Sequence, residues 1–157
     1  MAKTVNKSHL TALTRKTLPR PTRWLYNYGL IIEPVLDYGC GKCYSVNPNT
    51  WVHYDPYYWK IDLDCFRGKF LTVVCNYVLC TLPTQERLDI LRDIQTLLMT
   101  RSDSRAYVSV RNDRPKQGWG VSSRGTYQGR VKTLPIPLLY SNAQFRIYSL
   151  TTSTSLA

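Results

Sequence analysis

The sequence predicts an α/β domain built on a mainly parallel sheet. Short apolar segments that end in turn residues recur along the 157-residue chain, as strands do. The most apolar of them, 70–79, is rich in β-branched residues, which is typical of a central strand buried on both faces. An amphipathic helix follows it, and strands that alternate with helices favour parallel pairing.

In chain order, the first predicted element is a short helix over 22–28, which Gly29 ends in the left-handed conformation. Residues 34–39 are expected to form a buried strand that runs into a glycine turn. A second short strand, 51–55, is stopped by Pro56, and the central strand comes next.

The best-defined helix follows the central strand. Thr84 is its expected N-cap, and Glu86 lies in the first turn, where an acid interacts favourably with the helix dipole. Apolar residues recur along it at helical spacing and predict one buried face. These residues are Leu88, Leu91, Ile94, Leu97 and Leu98.

Four further segments complete the predicted fold. Residues 105–110 are expected to form a strand, and 112–130 have little periodicity and are expected to form a long loop. Two prolines restrict 134–140 to a sheet edge or an extended segment. Residues 144–151 alternate as a last strand does.

The net charge of +11 is unevenly distributed. Residues 1–25 hold six Lys or Arg and no acid, and 101–157 hold nine bases against two acids, whereas the centre is nearly neutral. Basic flanks of this kind attract phosphate backbones. A solvated basic surface that keeps a small protein soluble fits the composition equally well.

The composition and the charge pattern predict one folded domain with a basic N-terminal arm and a short C-terminal tail. A hydrophobic content of 43% supports a real core and excludes wholesale disorder. We expect a basic flexible arm (1–18), a folded domain (19–152) and a flexible tail (153–157). The arm also resembles an organellar presequence, but apolar Trp24 and Leu25 follow it closely. The chain lacks an apolar run long enough to cross a membrane and an apolar signal core, so we expect a cytoplasmic protein.

Candidate chemistry concentrates at the end of the first predicted strand. Asp37 is followed by Gly39, which permits a sharp turn, and by Gly41, which lets a ligand approach the backbone. Asp55, 18 positions after Asp37, ends the next strand. A carboxylate there can accept hydrogen bonds from both hydroxyls of a ribose lying over the turn. The combination predicts a nucleoside-containing ligand.

These residues resemble a known family. Residues 35–41 are similar to the acid-x-Gly-x-Gly motif of class I S-adenosylmethionine-dependent methyltransferases, and Asp55 resembles the family's ribose-binding acid. Residues 70–110 resemble the family's fourth strand, next helix and fifth strand. The resemblance implies a Rossmann-like sheet with S-adenosylmethionine across the carboxyl ends of its first strands. It implies cofactor contacts from Asp37, Tyr38, Gly39, Cys40, Gly41, Asp55, Pro56, Tyr57, Asn76 and Val78.

The sequence departs from that family in two informative ways. Cys43 stands where the family has a third glycine. Phe70 lies only 15 positions after Asp55, in a stretch where the family usually fits two helices and a strand. We therefore expect a sheet truncated between the second and fourth strands, with Asp62, Asp64 or no acid at all beside the adenine.

Asn76 and Tyr77, at the end of the central strand, are the candidate catalytic residues. Methyl transfer depends mainly on a positioned acceptor, and an amide with a phenol can orient an amino or hydroxyl group. The pair loosely resembles the Asn/Asp-Pro-Pro-Tyr turn of enzymes that methylate amino groups of nucleic acids, without its prolines. Packing of Tyr77 against the following helix is an equally good interpretation.

His53 is interpreted as a packed strand residue rather than a catalytic base. No Ser-His-Asp or Cys-His arrangement can be assembled from the spacing of these residues, so the sequence does not support a hydrolase.

Five cysteines offer a rival interpretation. Cys40 and Cys43 are spaced as in a zinc knuckle. Cys75, however, lies in an apolar strand, where a free thiol is a common small core residue, and an odd number of cysteines suits reduced thiols. We expect no bound metal. The residues that would have to complete a tetrahedral site are Cys65, Cys75, Cys80 and His53.

The segment 111–132 mixes basic residues with aromatic rings. Arginines neutralise phosphates and rings stack on bases, so this mixture is typical of proteins that bind single-stranded nucleic acid. A solvated loop with Trp119 under the sheet edge is the alternative. The candidate nucleic-acid contacts are Arg111, Arg114, Lys116, Trp119, Arg124, Arg130 and Lys132.

Together these features favour an S-adenosylmethionine-dependent methyltransferase that acts on a nucleic acid or a nucleotide-like acceptor. A catalytically degenerate methyltransferase-like domain that binds nucleic acid or a partner protein is the alternative, because the centre is short and Cys43 replaces a glycine. A zinc-stabilised structural domain is the third hypothesis.

Overall fold

Eight strands and two α-helices are present in the residues that the computed structural model describes, 7–42, 50–116 and 118–157. No helix in these ranges combines the length and apolar character needed to cross a membrane. The helices are α1 (Arg20–Asn27) and α2 (Thr84–Leu97). The strands are β1 (Val35–Tyr38), β2 (Val52–Tyr54), β3 (Thr72–Asn76), β4 (Arg105–Arg111), β5 (Gly120–Val121), β6 (Tyr127–Gln128), β7 (Leu138–Ser141) and β8 (Phe145–Leu150).

Six of the strands form one mixed sheet in the order β2-β1-β3-β4-β8-β7. The first four of these pair in parallel, and β8 and β7 add antiparallel pairs on the side of β4. The predicted α/β domain with a mainly parallel sheet is confirmed. The chain between β2 and β3 contributes a 3-10 turn, Leu63–Phe66, to the described structure and no strand of this sheet.

The two helices cover opposite faces of the sheet. Val73 and Cys75 of β3 pack in the same cluster as Leu91 of α2, whereas Val74 belongs to the cluster that contains Leu25 of α1. Successive side chains of a strand point to opposite faces, so β3 is buried on both. This double burial explains why the three central residues of β3, 73–75, are all apolar rather than alternating with polar residues.

β3 is shorter than the sequence predicts. It ends at Asn76 because Tyr77 adopts the left-handed conformation, with φ of 63°, and Val78–Thr81 then forms a 3-10 turn. Leu79 and Cys80 in this turn remain fully buried. The apolar sequence therefore continues past the end of β3, so hydrophobicity does not show where the strand ends.

The predicted start of α2 is wrong by one residue. Pro83 occupies the N-cap position, Thr84 is the first helical residue, and no side chain caps the helix. The backbone provides a substitute, since the carbonyl of Pro83 accepts a hydrogen bond from the amide of Glu86 at 3.1 Å.

The segment 112–130 is not the long loop that the sequence predicts. It contains an antiparallel ribbon in which β5 pairs with β6, with Gly120 opposite Gln128. The amide of Gly125 donates to the carbonyl of Ser122 at 2.9 Å and closes the turn between the two strands. Strands of two residues are too short to produce a periodic pattern, which is why the sequence does not indicate them.

Arg87 ties α2 to the turn that follows β3. Its side chain is 8% exposed, and Nε donates hydrogen bonds to the carbonyls of Leu79 and Leu82 at 2.9 and 3.2 Å. A buried charge is costly unless it is hydrogen-bonded, and these carbonyls lie at the end of a short helix, where, among the described residues, the carbonyl of Leu79 otherwise accepts only a long hydrogen bond, 3.5 Å, from the amide of Leu82. The guanidinium and the turn therefore stabilise each other.

We predict that Arg87→Met lowers the free energy of unfolding by about 2–4 kcal/mol, because the buried carbonyls of Leu79 and Leu82 lose the charged donor Nε and, among the described residues, Leu79 keeps only the 3.5 Å hydrogen bond from the amide of Leu82. Arg92→Met on the same helix is the control. Arg92 pairs with Asp89 at the surface, and its replacement should change stability by less than about 0.5 kcal/mol. Urea unfolding followed by circular dichroism measures both variants. Equal, small effects would contradict the role assigned to Arg87.

Candidate functional site

A cleft of about 1410 Å³ lies at the carboxyl ends of the parallel strands. The chain leaves β1 to form β2 on one side and returns as β3 on the other, and α/β sheets bind ligands at such a point. The volume exceeds the range of roughly 300–1000 Å³ that is usual for one small ligand, so two reactants have room. The lining includes Asp37, Tyr38, Gly39, Cys40, Gly41, Asp55, Pro56, Tyr57, Asn76, Tyr77 and Val78.

The turn after β1 depends on glycine. Gly39 has a φ of +73°, and a Cβ at this position would collide with Cγ2 of Val78. Gly41 has a φ of +63°, and a Cβ there would lie 3.2 Å from Cβ of Ala12. The turn therefore approaches both the 3-10 turn after β3 and the N-terminal segment (residues 7–18) more closely than a larger residue allows.

The amide groups of this turn are engaged by β2 and the residue after it. Gly39 and Cys40 both donate to the carbonyl of Tyr54, at 2.7 and 3.0 Å, and Gly41 donates to Oδ2 of Asp55 at 3.0 Å. A glycine turn that binds pyrophosphate instead presents its amides to the ligand. The geometry here does not suit the phosphates of a dinucleotide.

Asp55 joins this turn to the loop that follows β2. While Oδ2 accepts from the turn, Oδ1 accepts from the amides of Tyr57 and Tyr58 at 2.8 and 3.0 Å. A carboxylate has about four acceptor positions, so Asp55 retains capacity for a hydroxyl. Asp62 and Asp64, the alternative acids, do not belong to the lining of the cleft.

A second carboxylate stands beside Asp55 in the cleft. Asp37 is 5% exposed, and its Oδ2 lies 3.9 Å from Nδ1 of His53 on the neighbouring strand β2. The two acids come from the ends of adjacent strands, β1 and β2. This part of the cleft therefore favours a ligand with positive charge.

The candidate catalytic residues are held at the end of β3. Nδ2 of Asn76 donates to Oγ1 of Thr22 at 2.8 Å, and its Oδ1 accepts from Oγ of Ser109 at 3.0 Å. Burial raises the pKa of Tyr77, so its phenol stays protonated at neutral pH and is able to donate a hydrogen bond. The left-handed backbone of Tyr77 costs about 1–2 kcal/mol, and such strain is common at functional sites.

The N-terminal segment lies across the cleft. Its 3-10 turn, Ser8–Thr11, belongs to the lining, and the ring of His9 stacks on Tyr57 with centroids 4.1 Å apart. Oη of Tyr58 donates to the carbonyl of His9 at 3.2 Å. Further along, the guanidinium of Arg15 lies 5.9 Å from the ring centroid of Tyr77.

The predicted nucleic-acid contacts divide into two groups. Arg111, Lys116 and Arg124 line the cleft, and Arg111 pairs with Asp113 at 2.8 Å. Sequence reasoning missed two further cations of the lining, which are Arg15 and Arg20. Both lie in the acid-free segment 1–25, Arg15 in the predicted arm (1–18) and Arg20 at the start of the predicted domain (19–152). The predicted contacts outside the lining are Arg114, Trp119, Arg130 and Lys132.

Within the described ranges, no group of three His, Cys, Asp or Glu side chains is placed to hold a metal ion. Cys75 and Cys80 are buried, and burial raises the pKa of both thiols, which disfavours the thiolate that a metal needs. Cys43, which the zinc interpretation pairs with Cys40, lies outside the described residues.

No protein-family model matches the chain, and no curated protein matches it either. One similar solved structure is an S-adenosylmethionine-dependent methyltransferase from Mesorhizobium loti, with 12% sequence identity and a TM-score of 0.38. The match covers 84% of this chain and 76% of that one. A likeness of this size establishes neither a family nor a function, so the function proposed below is derived from the cleft itself.

We predict that Gly39→Ala lowers the free energy of unfolding by about 2–5 kcal/mol, since a left-handed backbone and a collision with Val78 both oppose the methyl group. Gly29→Ala is the matched control. Its φ of +65° is similar, but nothing lies within 4 Å of the new Cβ. It should cost about 1–2 kcal/mol, the backbone contribution alone. Equal losses in urea unfolding would contradict the close approach at Gly39.

Proposed function

We propose that this protein binds S-adenosylmethionine in the cleft and transfers its methyl group to a nucleic acid or nucleotide-like acceptor. The distribution of charge along the carboxyl ends of the strands carries the proposal. Asp37 and Asp55 stand at β1 and β2, whereas Arg111 ends β4 and Lys116 follows it. A sulfonium cofactor suits the acidic end of the cleft, which holds Asp37 and Asp55. A phosphate-bearing acceptor suits the basic end, which holds Arg111 and Lys116.

The residues at the acidic end fit the parts of this cofactor. Asp55 has one acceptor position left for a ribose hydroxyl, and Asp37 attracts the sulfonium and ammonium groups. Tyr57 offers a ring on which the adenine can stack, and the base would take the place that His9 now occupies. Bound there, the cofactor supplies an electrophilic methyl group.

The chain's own residues then have to position the acceptor. The carboxamide of Asn76 is held from both sides by Thr22 and Ser109, so it can hold an acceptor group without reorganising. Tyr77 contributes a protonated phenol, a hydrogen-bond donor at the same strand end. Methyl transfer to an unprotonated acceptor needs no strong base, so correct orientation of the acceptor accounts for much of its rate.

Calorimetric titration with S-adenosylmethionine and S-adenosylhomocysteine tests whether the cofactor binds and whether Asp55 contributes to its affinity. We expect both to bind, and Asp55→Ala to weaken binding by about 2 kcal/mol or more, because a ribose hydroxyl loses a charged partner. Asp62→Ala is the control: Asp62 also accepts a backbone amide, that of Asp64 at 3.1 Å, but outside the cleft. It should bind as the parent does.

Two results would count against the cofactor site. Failure of the parent to bind either molecule at millimolar concentration rejects S-adenosylmethionine. Equal binding by the parent and by a folded Asp55→Ala variant places the cofactor elsewhere. Thermal unfolding of each variant separates loss of the site from loss of the fold.

A binding module without catalysis is the second candidate. It is favoured by the stacking of His9 on Tyr57, which covers the ring face that the base requires. Transfer of a radiolabelled methyl group from S-adenosylmethionine to mixed-sequence DNA or RNA distinguishes the two functions. Nucleic-acid binding without transfer supports the module.

A nucleic-acid acceptor predicts that the affinity for nucleic acid falls as the salt concentration rises. If the cations of the cleft contact phosphates, Lys116→Gln and Arg124→Gln should each flatten the dependence of log affinity on log salt by about one unit. Arg130→Gln and Lys132→Gln are controls, because both residues are exposed and lie outside the lining. Fluorescence anisotropy with short single-stranded DNA and RNA measures the slopes. Absence of binding at low salt would reject a nucleic-acid acceptor.

A further inference from the structure

A second cavity, of about 370 Å³, adjoins the cleft on the side of α1. It is lined by residues 13–20 and Arg23, and it shares Arg15, Pro19 and Arg20 with the lining of the cleft. Its volume lies within the range of roughly 300–1000 Å³ that is usual for one small ligand. We call this cavity the side pocket. The function proposed above gives it no role.

The side pocket is lined by four cations and no acid. Lys16 and Arg23 belong to its lining alone, whereas Arg15 and Arg20 also line the cleft. Within the described ranges, none of the four forms an ion pair with a carboxylate. Arg111 of the cleft, by contrast, is paired with Asp113. The side pocket therefore carries a net positive charge, which attracts anions.

The other groups of the lining indicate which anion fits. Thr14 and Thr17 add hydroxyls, and no aromatic residue belongs to the lining in the part of the chain that the structure describes. Cations and hydroxyls bind phosphate oxygens, whereas the faces of bases stack on rings. The side pocket therefore suits a backbone phosphate, and a contact of this kind carries no sequence information.

Two contacts place the side pocket beside the candidate catalytic residues. The guanidinium of Arg15 lies 5.9 Å from the ring centroid of Tyr77. On α1, the buried hydroxyl of Thr22 accepts the hydrogen bond from Asn76 at 2.8 Å, and Arg23 is the next residue along the chain. An acceptor oriented by Asn76 and Tyr77 would therefore have the side pocket next to it.

A single nucleotide with one phosphate does not need the side pocket. The cleft already offers Arg111, Lys116 and Arg124 to the phosphate of an acceptor nucleotide. Lys16 and Arg23 lie outside the lining of the cleft, so they suit a second phosphate. Consecutive nucleotides of a strand carry phosphates at a regular spacing, as two adjoining sites require.

We propose that the side pocket binds a backbone phosphate of the nucleotide next to the acceptor, so that the acceptor is part of a nucleic-acid strand rather than a free nucleotide. This inference rests on the proposed function, because it takes the acceptor in the cleft to be a nucleotide. It selects the strand from the two classes of acceptor named there. Lys16 and Arg23 are then residues that determine the class of substrate without reading its sequence.

Fluorescence anisotropy with labelled single-stranded RNA and DNA octamers of mixed sequence tests the side pocket, and competition with the labelled octamer measures AMP and ATP. The octamer should bind at least about ten-fold more tightly than either nucleotide. The double variant Lys16→Gln/Arg23→Gln should weaken octamer binding about ten-fold, because a phosphate loses charged partners. It should also flatten the dependence of log affinity on log salt by about one unit, as for one lost phosphate contact. AMP should bind the variant as it binds the parent.

The double variant Lys60→Gln/Lys69→Gln is the matched control. It removes the same two charges, and both residues are exposed and line neither cavity. Its affinity for the octamer and its salt slope should match those of the parent. Lys16 and Arg23 are exposed as well, so thermal unfolding should give the same midpoint for both double variants. Should Lys16→Gln/Arg23→Gln unfold, the two single variants decide.

The outcomes separate this proposal from the one on which it rests. Equal losses in the two double variants overturn the side pocket as a phosphate site. A loss for ATP as large as that for the octamer overturns the strand, because the phosphates of one nucleotide would then fill the pocket. Binding of AMP without tighter binding of the octamer also overturns it and leaves a nucleotide-like acceptor. Absence of binding by all three probes overturns it together with the nucleic-acid acceptor, and titration with S-adenosylhomocysteine still reports on the cofactor site.

Discussion

The close approach of two turns at Gly39 and Val78 is the constraint on which the cleft depends. β1 and β3 are neighbours in the sheet, and the backbone that leaves β1 passes against the 3-10 turn that leaves β3. A side chain at Gly39 would force these strand ends apart. Because the turn presents backbone here instead of side chains, the space above it stays open for a ligand. Arg87 supports the other side of the same arrangement by satisfying the carbonyls of the 3-10 turn.

Hydrogen bonding determines which ligand this open space suits. The amides of Gly39, Cys40 and Gly41 are engaged by Tyr54 and Asp55, so the turn has little to offer a phosphate. Two carboxylates at the same place favour positive charge instead. Cations accumulate past β4, where anionic groups are favoured. The cleft therefore combines two electrostatic preferences along one row of strand ends.

Parts of the chain that lie outside the sheet complete the cleft. The N-terminal segment reaches it through the stack of His9 on Tyr57, and the ribbon β5–β6 is attached through Gly129 and Cys80. These two parts also approach each other, since a Cβ at Gly125 in the ribbon's turn would lie 3.4 Å from the side chain of Lys7. The sheet thus positions Asp37 and Asp55, and these additions bring further cations, Arg15 and Arg124, to the lining of the same cleft.

The sequence by itself determined the alternation of strands and helices and the glycine turn between Asp37 and Asp55. Burial imposes a periodic pattern on long elements such as α2 and a continuous apolar run on β3, and both are visible locally. Only the tertiary structure decided that Tyr77 ends β3, that 112–130 contains a ribbon, and that Arg15 lies in the same cleft as Arg111. The physical reason is that these features arise from contacts between segments far apart in the chain, and such contacts leave no periodic pattern in the residues that make them.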